Sequence, residues 1–259
     1  MKLVCIAAAG FGLANASMRS LLSNIQTYAQ QNANKTGRAF TGVVENSFEP
    51  LNGYGCWCYL DDTWRDANQV LINRPAILAH GQVVDALDES CRDLINSYKC
   101  IEMDAEANGI TDCDAQAVAY TPYNFFSSQT DLETECTTTN QAGGECAINA
   151  CIVEGAFTLR YLQYVGINAP SMTTHPDYNA AHFHQSQGGA FDPDVECPGI
   201  PNPVGSDKEC CGEHTLLTRK PYRLYSGFTT RSCCNGEVIN NELSQCCNNA
   251  VIDIADQCV

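Results

Sequence analysis

Histidine and aspartate side chains that could bind a metal ion cluster in one stretch of the chain. His182 and His184 flank a phenylalanine, so on a strand both imidazoles would face the same side, and His175 and Asp177 precede them. This spacing is compatible with a metal site. Histidines in an exposed loop give the same pattern, and exposed loop histidines are the favoured interpretation.

Acidic side chains form a second group with metal-binding chemistry, since calcium prefers carboxylate oxygens. Asp61, Asp62, Asp85, Asp88 and Glu89 could make a loose calcium-binding face. A solvated acidic surface is the favoured interpretation, because the whole chain carries a formal net charge of −16. We therefore expect no resident metal or cofactor, with weak surface calcium binding as the alternative. The same charge argues against nucleic acid as a partner and makes a calcium-rich matrix a more natural one.

The first sixteen residues have the pattern of a secretory signal peptide. Lys2 is followed by an apolar run over residues 3–13 and by a small-x-small cleavage site at residues 14–16. The apolar run is too short to cross a bilayer, which needs about 20 residues. No other segment of the sequence is long and apolar enough to do so. We therefore expect a secreted, extracellular protein that begins at Ser17 after cleavage.

The chain has 17 cysteines, and loss of Cys5 with the signal peptide leaves an even number. That number, in an oxidising compartment, predicts up to eight disulfides. Zinc sites are disfavoured because the sequence lacks paired CxxC knuckles. The cysteines assigned to disulfides are Cys56, Cys58, Cys91, Cys100, Cys113, Cys136, Cys146, Cys151, Cys197, Cys210, Cys211, Cys233, Cys234, Cys246, Cys247 and Cys258.

Three stretches have the apolar spacing of amphipathic helices, and these helices would position the segments above. They are residues 17–34, 83–103 and 147–165. The polar, Thr-rich residues 110–139 could contain a small β-hairpin. Asn34 lies in an Asn-Lys-Thr glycosylation sequon.

The C-terminal part of the chain has a different character. Residues 166–196 predict a linker or long loop, because they are rich in proline and lack periodicity. Further on, the sequence Cys-Cys-Asn-x-x-Val-Ile occurs at Cys233 and again 13 residues later at Cys246. Asn-Gly and Asn-Asn favour tight turns, and Val-Ile favours strands. Residues 197–259 therefore predict a disulfide-stapled β module, in which each cysteine pair joins its strand to two different neighbours.

Two motifs resemble secretory phospholipase A2. The sequence Tyr-Gly-Cys-Trp-Cys at residues 54–58 looks like that family's calcium-loop entry. Residues 81–91 are similar to its Gly-x-Pro-Val-Asp-x-Leu-Asp-Arg-Cys-Cys helix start, and Tyr98 stands where the family has a structural tyrosine. The resemblance covers residues 17–165 and implies a three-helix phospholipase A2-like domain.

The catalytic residues that this resemblance implies are replaced. Counting on from Ser90 and Cys91, the position of the family's general-base histidine holds Leu94, and that of its calcium-binding aspartate holds Ile95. Leucine accepts no proton and isoleucine binds no hard cation. The glycines after the second loop cysteine are also replaced. The resemblance therefore implies a non-catalytic site, with a displaced base at His80 as the alternative.

The resemblance also implies a disulfide between Cys58 and Cys91. Serines replace two further family cysteines, so the other cysteines of residues 56–151 should pair in a different pattern, which the sequence leaves open. We expect these cysteines and those of residues 197–258 to form two separate sets.

The C-terminal module is similar to the repeats of galaxin-type proteins of coral skeletal matrix, through its Cys-Cys-Asn motifs and the intervening Pro221 and Tyr222. Phospholipase-like domains without catalytic residues also resemble those of mineral-matrix proteins such as otoconins. Both resemblances imply a structural role outside the cell.

The sequence thus favours an α+β, disulfide-rich protein with a structural or matrix function. It would use the degenerate phospholipase A2-like domain as a scaffold and the di-cysteine module for assembly, with extracellular partners or with itself. A divergent secreted, calcium-dependent phospholipase A2 is one alternative. A lipid- or receptor-binding module, with Leu94 and Ile95 lining its groove, is another.

Overall fold

The computed structural model describes Leu21 and residues 53–59, 80–123, 131–165, 179–184, 189–198 and 207–258. This part of the chain is α+β, with helices before residue 197 and antiparallel strands after residue 207. The expected signal peptide, the sequon at Asn34 and all of the expected first helix except Leu21 lie outside the described residues. No helix in the described ranges is long and apolar enough to cross a membrane.

The described helices are α1 (Ala86–Ala107), α2 (Leu132–Asn140), α3 (Gly144–Val165) and the single turn α4 (Pro193–Glu196), with 3-10 turns at Gln141–Gly143 and Ala180–His182. The predicted helices at 83–103 and 147–165 are confirmed as α1 and α3. Helix α1 begins and ends a few residues later than predicted, and α3 begins a few residues earlier.

Asp85 precedes helix α1, and its carboxylate caps the helix by accepting hydrogen bonds from the backbone N–H groups of Leu87 and Asp88. Such a cap stabilises a helix by about 1 kcal/mol. The predicted apolar face, which includes Leu87, Cys91 and Leu94, is buried in the main core and packs against α3. Full burial of a leucine stabilises the fold by about 1.5–3 kcal/mol.

The β-hairpin considered for residues 110–139 is replaced by helix α2 in the described part of this stretch. Threonine favours strands in general, but Asp131 caps α2 by accepting from the Thr134 N–H at 2.8 Å. The hydroxyls of Thr138 and Thr139 donate to carbonyls four residues earlier, so they are satisfied within the helix. Local capping therefore outweighs the strand preference of the threonines.

The C-terminal part is made of antiparallel strands that pair in three small sheets, in the orders β1-β2, β3-β4-β5 and β6-β7. The strands are β1 (Lys208–Cys211), β2 (Lys220–Arg223), β3 (Tyr225–Ser226), β4 (Thr229–Cys234), β5 (Glu237–Asn240), β6 (Ser244–Cys247) and β7 (Ala250–Asp253). The β1–β2 pair packs against α1, so the strands are in contact with the helical part.

The 13-residue sequence repeat corresponds to a repeated hairpin. Cys233 pairs with Val238 across β4–β5, and Cys246 pairs with Val251 across β6–β7, which is the same register shifted by one repeat. Both hairpins turn on residues with positive φ, at Asn235-Gly236 and at Asn248-Asn249. The prediction that Asn-Gly and Asn-Asn make tight turns is confirmed.

Eight disulfides use all sixteen cysteines outside the expected signal peptide. The predicted Cys58–Cys91 bridge is confirmed. The others are Cys56–Cys197, Cys100–Cys210, Cys113–Cys146, Cys136–Cys151, Cys211–Cys233, Cys234–Cys246 and Cys247–Cys258. The two cysteines of each adjacent pair bond to two different partners, because successive side chains along a strand point to opposite faces.

The expectation of two separate sets of cysteines is wrong. Cys100 of α1 bonds to Cys210 of β1, and Cys56 bonds to Cys197. The sequence could not reveal these bridges because they join residues 110 and 141 positions apart. The helical part and the β module are therefore covalently joined.

The stretch predicted as a linker or long loop contacts the core in its described part. Phe183 forms a bridge with Tyr54, and Phe191 is only 5% exposed. These residues, together with the Cys56–Cys197 disulfide, attach the stretch to the turn at residues 53–59. The boundaries assigned to the linker and to the β module remain predictions.

Removing the bridge between α1 and β1 should destabilise the protein more than removing the last bridge of the module. The Cys100→Ser/Cys210→Ser variant frees a pair 110 residues apart, whereas the control Cys247→Ser/Cys258→Ser frees a pair 11 residues apart. Loop entropy predicts a loss that is larger by about 1–2 kcal/mol for the first variant. Denaturant unfolding measures both losses, and equal losses would contradict this expectation.

Candidate functional site

The residues of the phospholipase-like motifs come together where the turn at residues 53–59 meets the start of α1. Asp88 is completely buried there. Its carboxylate accepts backbone hydrogen bonds from Trp57 at 2.7 Å, from Cys56 at 3.1 Å and from Val84 at 3.1 Å. One side chain of α1 thus holds both the turn and the segment that precedes the helix.

The environment of Asp88 requires glycine in the turn and alters the acidity of the carboxyl group. A Cβ atom on Gly55 would lie 2.4 Å from the Asp88 Cγ atom, and Gly55 also has a φ of +60°. Burial raises the pKa of Asp88 from 3.8 to about 6, although the three backbone N–H groups act in the opposite direction. The cost of burying this charge is therefore only partly offset by its hydrogen bonds.

A second polar cluster lies beside the first and joins three parts of the chain. The Tyr54 hydroxyl donates to the Asp85 carboxylate at 2.5 Å, and His182 Nδ1 lies 2.9 Å from the same oxygen. The backbone N–H of Asn179 donates to the Tyr54 hydroxyl at 3.0 Å. The Asp85 cap of α1 is thus shared with the turn and with the stretch predicted as a linker.

The Asp85–His182 pair has a catalytic type of chemistry, but its geometry restricts that chemistry. A neutral imidazole that donates from Nδ1 to Asp85 can accept a proton only at Nε2. His182 Nε2 lies 3.2 Å from the Asn179 side-chain amide, so both ring nitrogens have partners. No local sequence pattern marks this pair, because Asp85 and His182 are 97 residues apart.

The two positions where the family resemblance implies catalytic residues lie inside the core. Leu94 is 0% exposed and Ile95 is 5% exposed, and both belong to the main hydrophobic cluster. Neither can accept a proton or bind a metal ion. Their burial also argues against the alternative in which they line the groove of a lipid- or receptor-binding module.

Glu154 of α3 is a buried polar residue that sequence reasoning missed. One of its carboxylate oxygens accepts from the Tyr98 hydroxyl at 2.9 Å, and the other accepts from the Tyr120 hydroxyl. Burial raises the pKa of Glu154 from 4.5 to about 8, while the two tyrosines act in the opposite direction. The available signal was a charged residue on the apolar face of α3, beside Cys151.

The histidines weighed from the sequence have different surroundings from those expected. His184 is 5% exposed, so the expectation of an exposed loop histidine is wrong for this residue. Its backbone N–H donates to the Gly53 carbonyl, and its ring packs edge-on against Tyr59. The Nδ1 atom of His80 is buried without a hydrogen-bond partner in the described structure.

The acidic face expected from the sequence is divided by the fold. Asp88 points inward, which corrects its assignment to a solvated surface, whereas Glu89 is exposed and pairs with Arg92 at 2.7 Å. Asp61 and Asp62 lie outside the described residues. Among the residues that the structure describes, no three His, Cys, Asp or Glu side chains converge as metal ligands would.

Comparisons of the chain with protein-family models, with curated proteins and with solved structures found no match. The resemblance to phospholipase A2 therefore depends on the two sequence motifs alone.

The buried Glu154 should make the stability of the protein depend on pH. A carboxyl group whose pKa is raised to about 8 in the folded state keeps its proton there, whereas the unfolded chain releases it near pH 4.5. The stabilisation that Glu154 contributes is therefore complete below about pH 4.5 and is lost as the pH rises to about 8, by about 1.4 kcal/mol for each unit of pKa difference at most. Asp88 contributes with the same sign only up to about pH 6.

Glu154→Gln should remove the decline between pH 6 and 8, because glutamine resembles the protonated carboxyl group and does not titrate. The measurement is the free energy of unfolding across this range. Glu133→Gln, at an exposed position of α2, is the control and should keep the decline. If the Glu154→Gln variant declines as steeply as the wild type, Glu154 is not the titrating group.

Proposed function

We propose that the protein is a secreted, non-catalytic structural protein that assembles outside the cell on a degenerate phospholipase A2-like scaffold. The observation that carries this proposal is the burial of Leu94 and Ile95 at the positions where the resemblance implies a base and a metal ligand. A hydrolase needs an acid–base group or a metal that can reach its substrate. Buried aliphatic side chains provide neither.

The bracing around these positions supports a role as a scaffold. Asp88 still holds the turn, and Cys58–Cys91 still ties that turn to α1. Glu154 of α3 is hydrogen-bonded to Tyr98 of α1 and to Tyr120 of the segment that follows α1. These interactions stabilise a geometry and need no substrate.

The β module supports a role in assembly. It carries most of the large apolar side chains that the described structure exposes, namely Leu216, Tyr225, Phe228, Leu243, Val251 and Ile254. Exposed apolar side chains that are held by a rigid backbone favour association, because little conformational entropy is lost on contact. Disulfides hold each hairpin of this module in place.

Charge favours a second copy of the chain as the partner of the module. Residues 207–258 contain five Lys and Arg residues against seven Asp and Glu residues, a net charge of −2, whereas the whole chain carries −16. Two modules can therefore approach each other with little repulsion, while the rest of each chain stays apart. A chain that stays monomeric in the sedimentation measurement below would favour an extracellular partner of another kind.

A second candidate function is a divergent hydrolase, which the Asp85–His182 pair favours. His182 has a quarter of its side chain exposed and lies 2.9 Å from a carboxylate. In this function the Asn179 amide would have to leave Nε2 before the imidazole could accept a proton from water.

Phospholipid hydrolysis in mixed micelles separates these two functions. We expect no calcium-dependent turnover above that of the His182→Ala variant, because the buried core provides no base. Turnover that requires calcium and falls at least a hundredfold in His182→Ala would contradict the structural proposal and support the hydrolase. The unfolding transition of each variant shows whether a lost activity is a lost fold.

Self-association should weaken when apolar side chains of the module are made polar. Phe228 is fully exposed, and Leu243 is 65% exposed, so Phe228→Ser/Leu243→Ser should leave the unfolding temperature unchanged. If both side chains are buried on assembly, each contributes about 1.5–3 kcal/mol, and the dissociation constant should rise at least tenfold. Sedimentation velocity over a range of concentrations measures this constant.

Val195→Ser is the matched control, since Val195 is 71% exposed but lies on α4 outside the module. It should leave the dissociation constant unchanged. A wild-type protein that stays monomeric at every concentration would refute self-assembly through this module.

A further inference from the structure

Helix α1 and the β1–β2 pair enclose a small cavity with an unusual concentration of positive charge. Its volume is about 160 Å³. Four of the chain's 14 Lys and Arg residues line it, although the chain as a whole is strongly acidic. These residues are Arg92, Lys99, Lys208 and Lys220.

The two structural elements supply the cations from opposite sides of the cavity. Arg92, Asn96 and Lys99 follow one another at spacings of four and three, so they lie on one face of α1. Lys208 is the first residue of β1, and Lys220 is the first residue of β2. The Cys100–Cys210 disulfide joins these elements directly beside the cavity and fixes their separation.

The cations are only partly neutralised by the protein. Arg92 pairs with Glu89 at 2.7 Å and with Asp93 at 2.9 Å. In the described part of the chain, no carboxylate lies within 4.0 Å of the amines of Lys99 or Lys220. The Lys99 amine instead lies 5.8 Å from the ring centre of Trp57.

Burial and mutual repulsion both act on these amines. Burial lowers the pKa of Lys99, and the charge of Lys208 lowers it further, while Glu102 acts in the opposite direction. Burial also lowers the pKa of Lys208, which is 8% exposed; the charge of Arg223 lowers it further, while Asp207 acts in the opposite direction. An anion placed between these groups would relieve this repulsion.

We propose that this cavity binds a tetrahedral oxyanion, a phosphate or a sulfate group, either free or as a monoester. The guanidinium of Arg92 and the lysine amines are the groups that proteins use for such anions. The cavity is much larger than one water molecule needs but smaller than the roughly 300 Å³ of the smallest drug-sized sites. Trp57 and Pro221 complete the lining with an apolar surface, on which the ester part of a monoester would lie.

Calorimetric titration of the full chain with inorganic phosphate and with inorganic sulfate tests the proposal. Sodium chloride keeps the ionic strength constant, since a general charge effect would be screened by any salt. We expect saturable binding with one anion per chain. Heats that do not saturate, or that chloride alone reproduces, would overturn the proposal.

Two variants test the location of the site. Lys99→Gln/Lys220→Gln removes two amines of the cavity without breaking an ion pair, and it should weaken anion binding at least tenfold. Arg231→Gln is the matched control, because it removes a positive charge from β4 outside the cavity and should change the affinity less than twofold. Equal effects of the two variants would overturn the proposed site, and unfolding temperatures confirm that each variant is folded.

A further titration uses two monoesters, glycerol phosphate and a sulfated monosaccharide, in place of the free anions. Affinity equal to that of the free anions identifies the oxyanion alone as the ligand. Affinity at least tenfold higher identifies a monoester, and Trp57→Leu should then reduce the affinity for the ester but not for the free anion.

Discussion

The arrangement of the helical part depends on one buried carboxylate. Asp88 accepts hydrogen bonds from three backbone N–H groups on two segments, and one of these segments, the turn at residues 53–59, carries the cysteines that bond to α1 and to Cys197. Without these acceptors the turn would leave buried N–H groups unsatisfied, at a cost of about 1–3 kcal/mol each. The close approach of this carboxylate also explains the glycine at position 55, because a Cβ atom there would lie 2.4 Å from the Asp88 Cγ atom.

The same site combines polar bracing with aliphatic packing. Asp88, Asp85 and Glu154 each have hydrogen-bond partners inside the protein, so replacing any one of them would leave those partners without acceptors. The side chains of Leu94 and Ile95 have no hydrogen-bond partners, because they contribute through packing alone. Polar groups that brace a core are therefore harder to exchange than aliphatic side chains, which tolerate apolar replacements of similar volume.

Features that depend on neighbouring residues could be predicted from the sequence. The apolar face and the position of α1 follow from three- and four-residue spacing, and the repeated hairpins follow from Asn-Gly and Asn-Asn turns. The Cys58–Cys91 bridge followed from a family resemblance rather than from spacing. Helix α2 was not predicted, because threonines favour strands in general, whereas the cap at Asp131 that favours the helix is a single residue.

Features that depend on distant residues could not be predicted. The His182–Asp85 contact and the Cys100–Cys210 bridge each bring together residues about a hundred positions apart, and no local pattern marks either pair. The full burial of Asp88 was not predicted, because aspartate is almost never fully buried unless it is paired. Its partners are backbone N–H groups, which no side-chain pattern reveals.

The conformation of the β module is held by disulfides more than by a buried core, and this leaves its exposed side chains available for binding. Its sheets have two or three short strands each, too few to enclose a core of their own. A continuous series of bridges runs instead from α1 through Cys210 and Cys211, then through Cys233 and Cys234, to the last hairpin. Because disulfides constrain the unfolded chain whatever the exposed side chains are, residues such as Phe228 are not needed for folding. Their side chains are therefore available for contacts with other molecules, in a geometry that the bridges hold fixed.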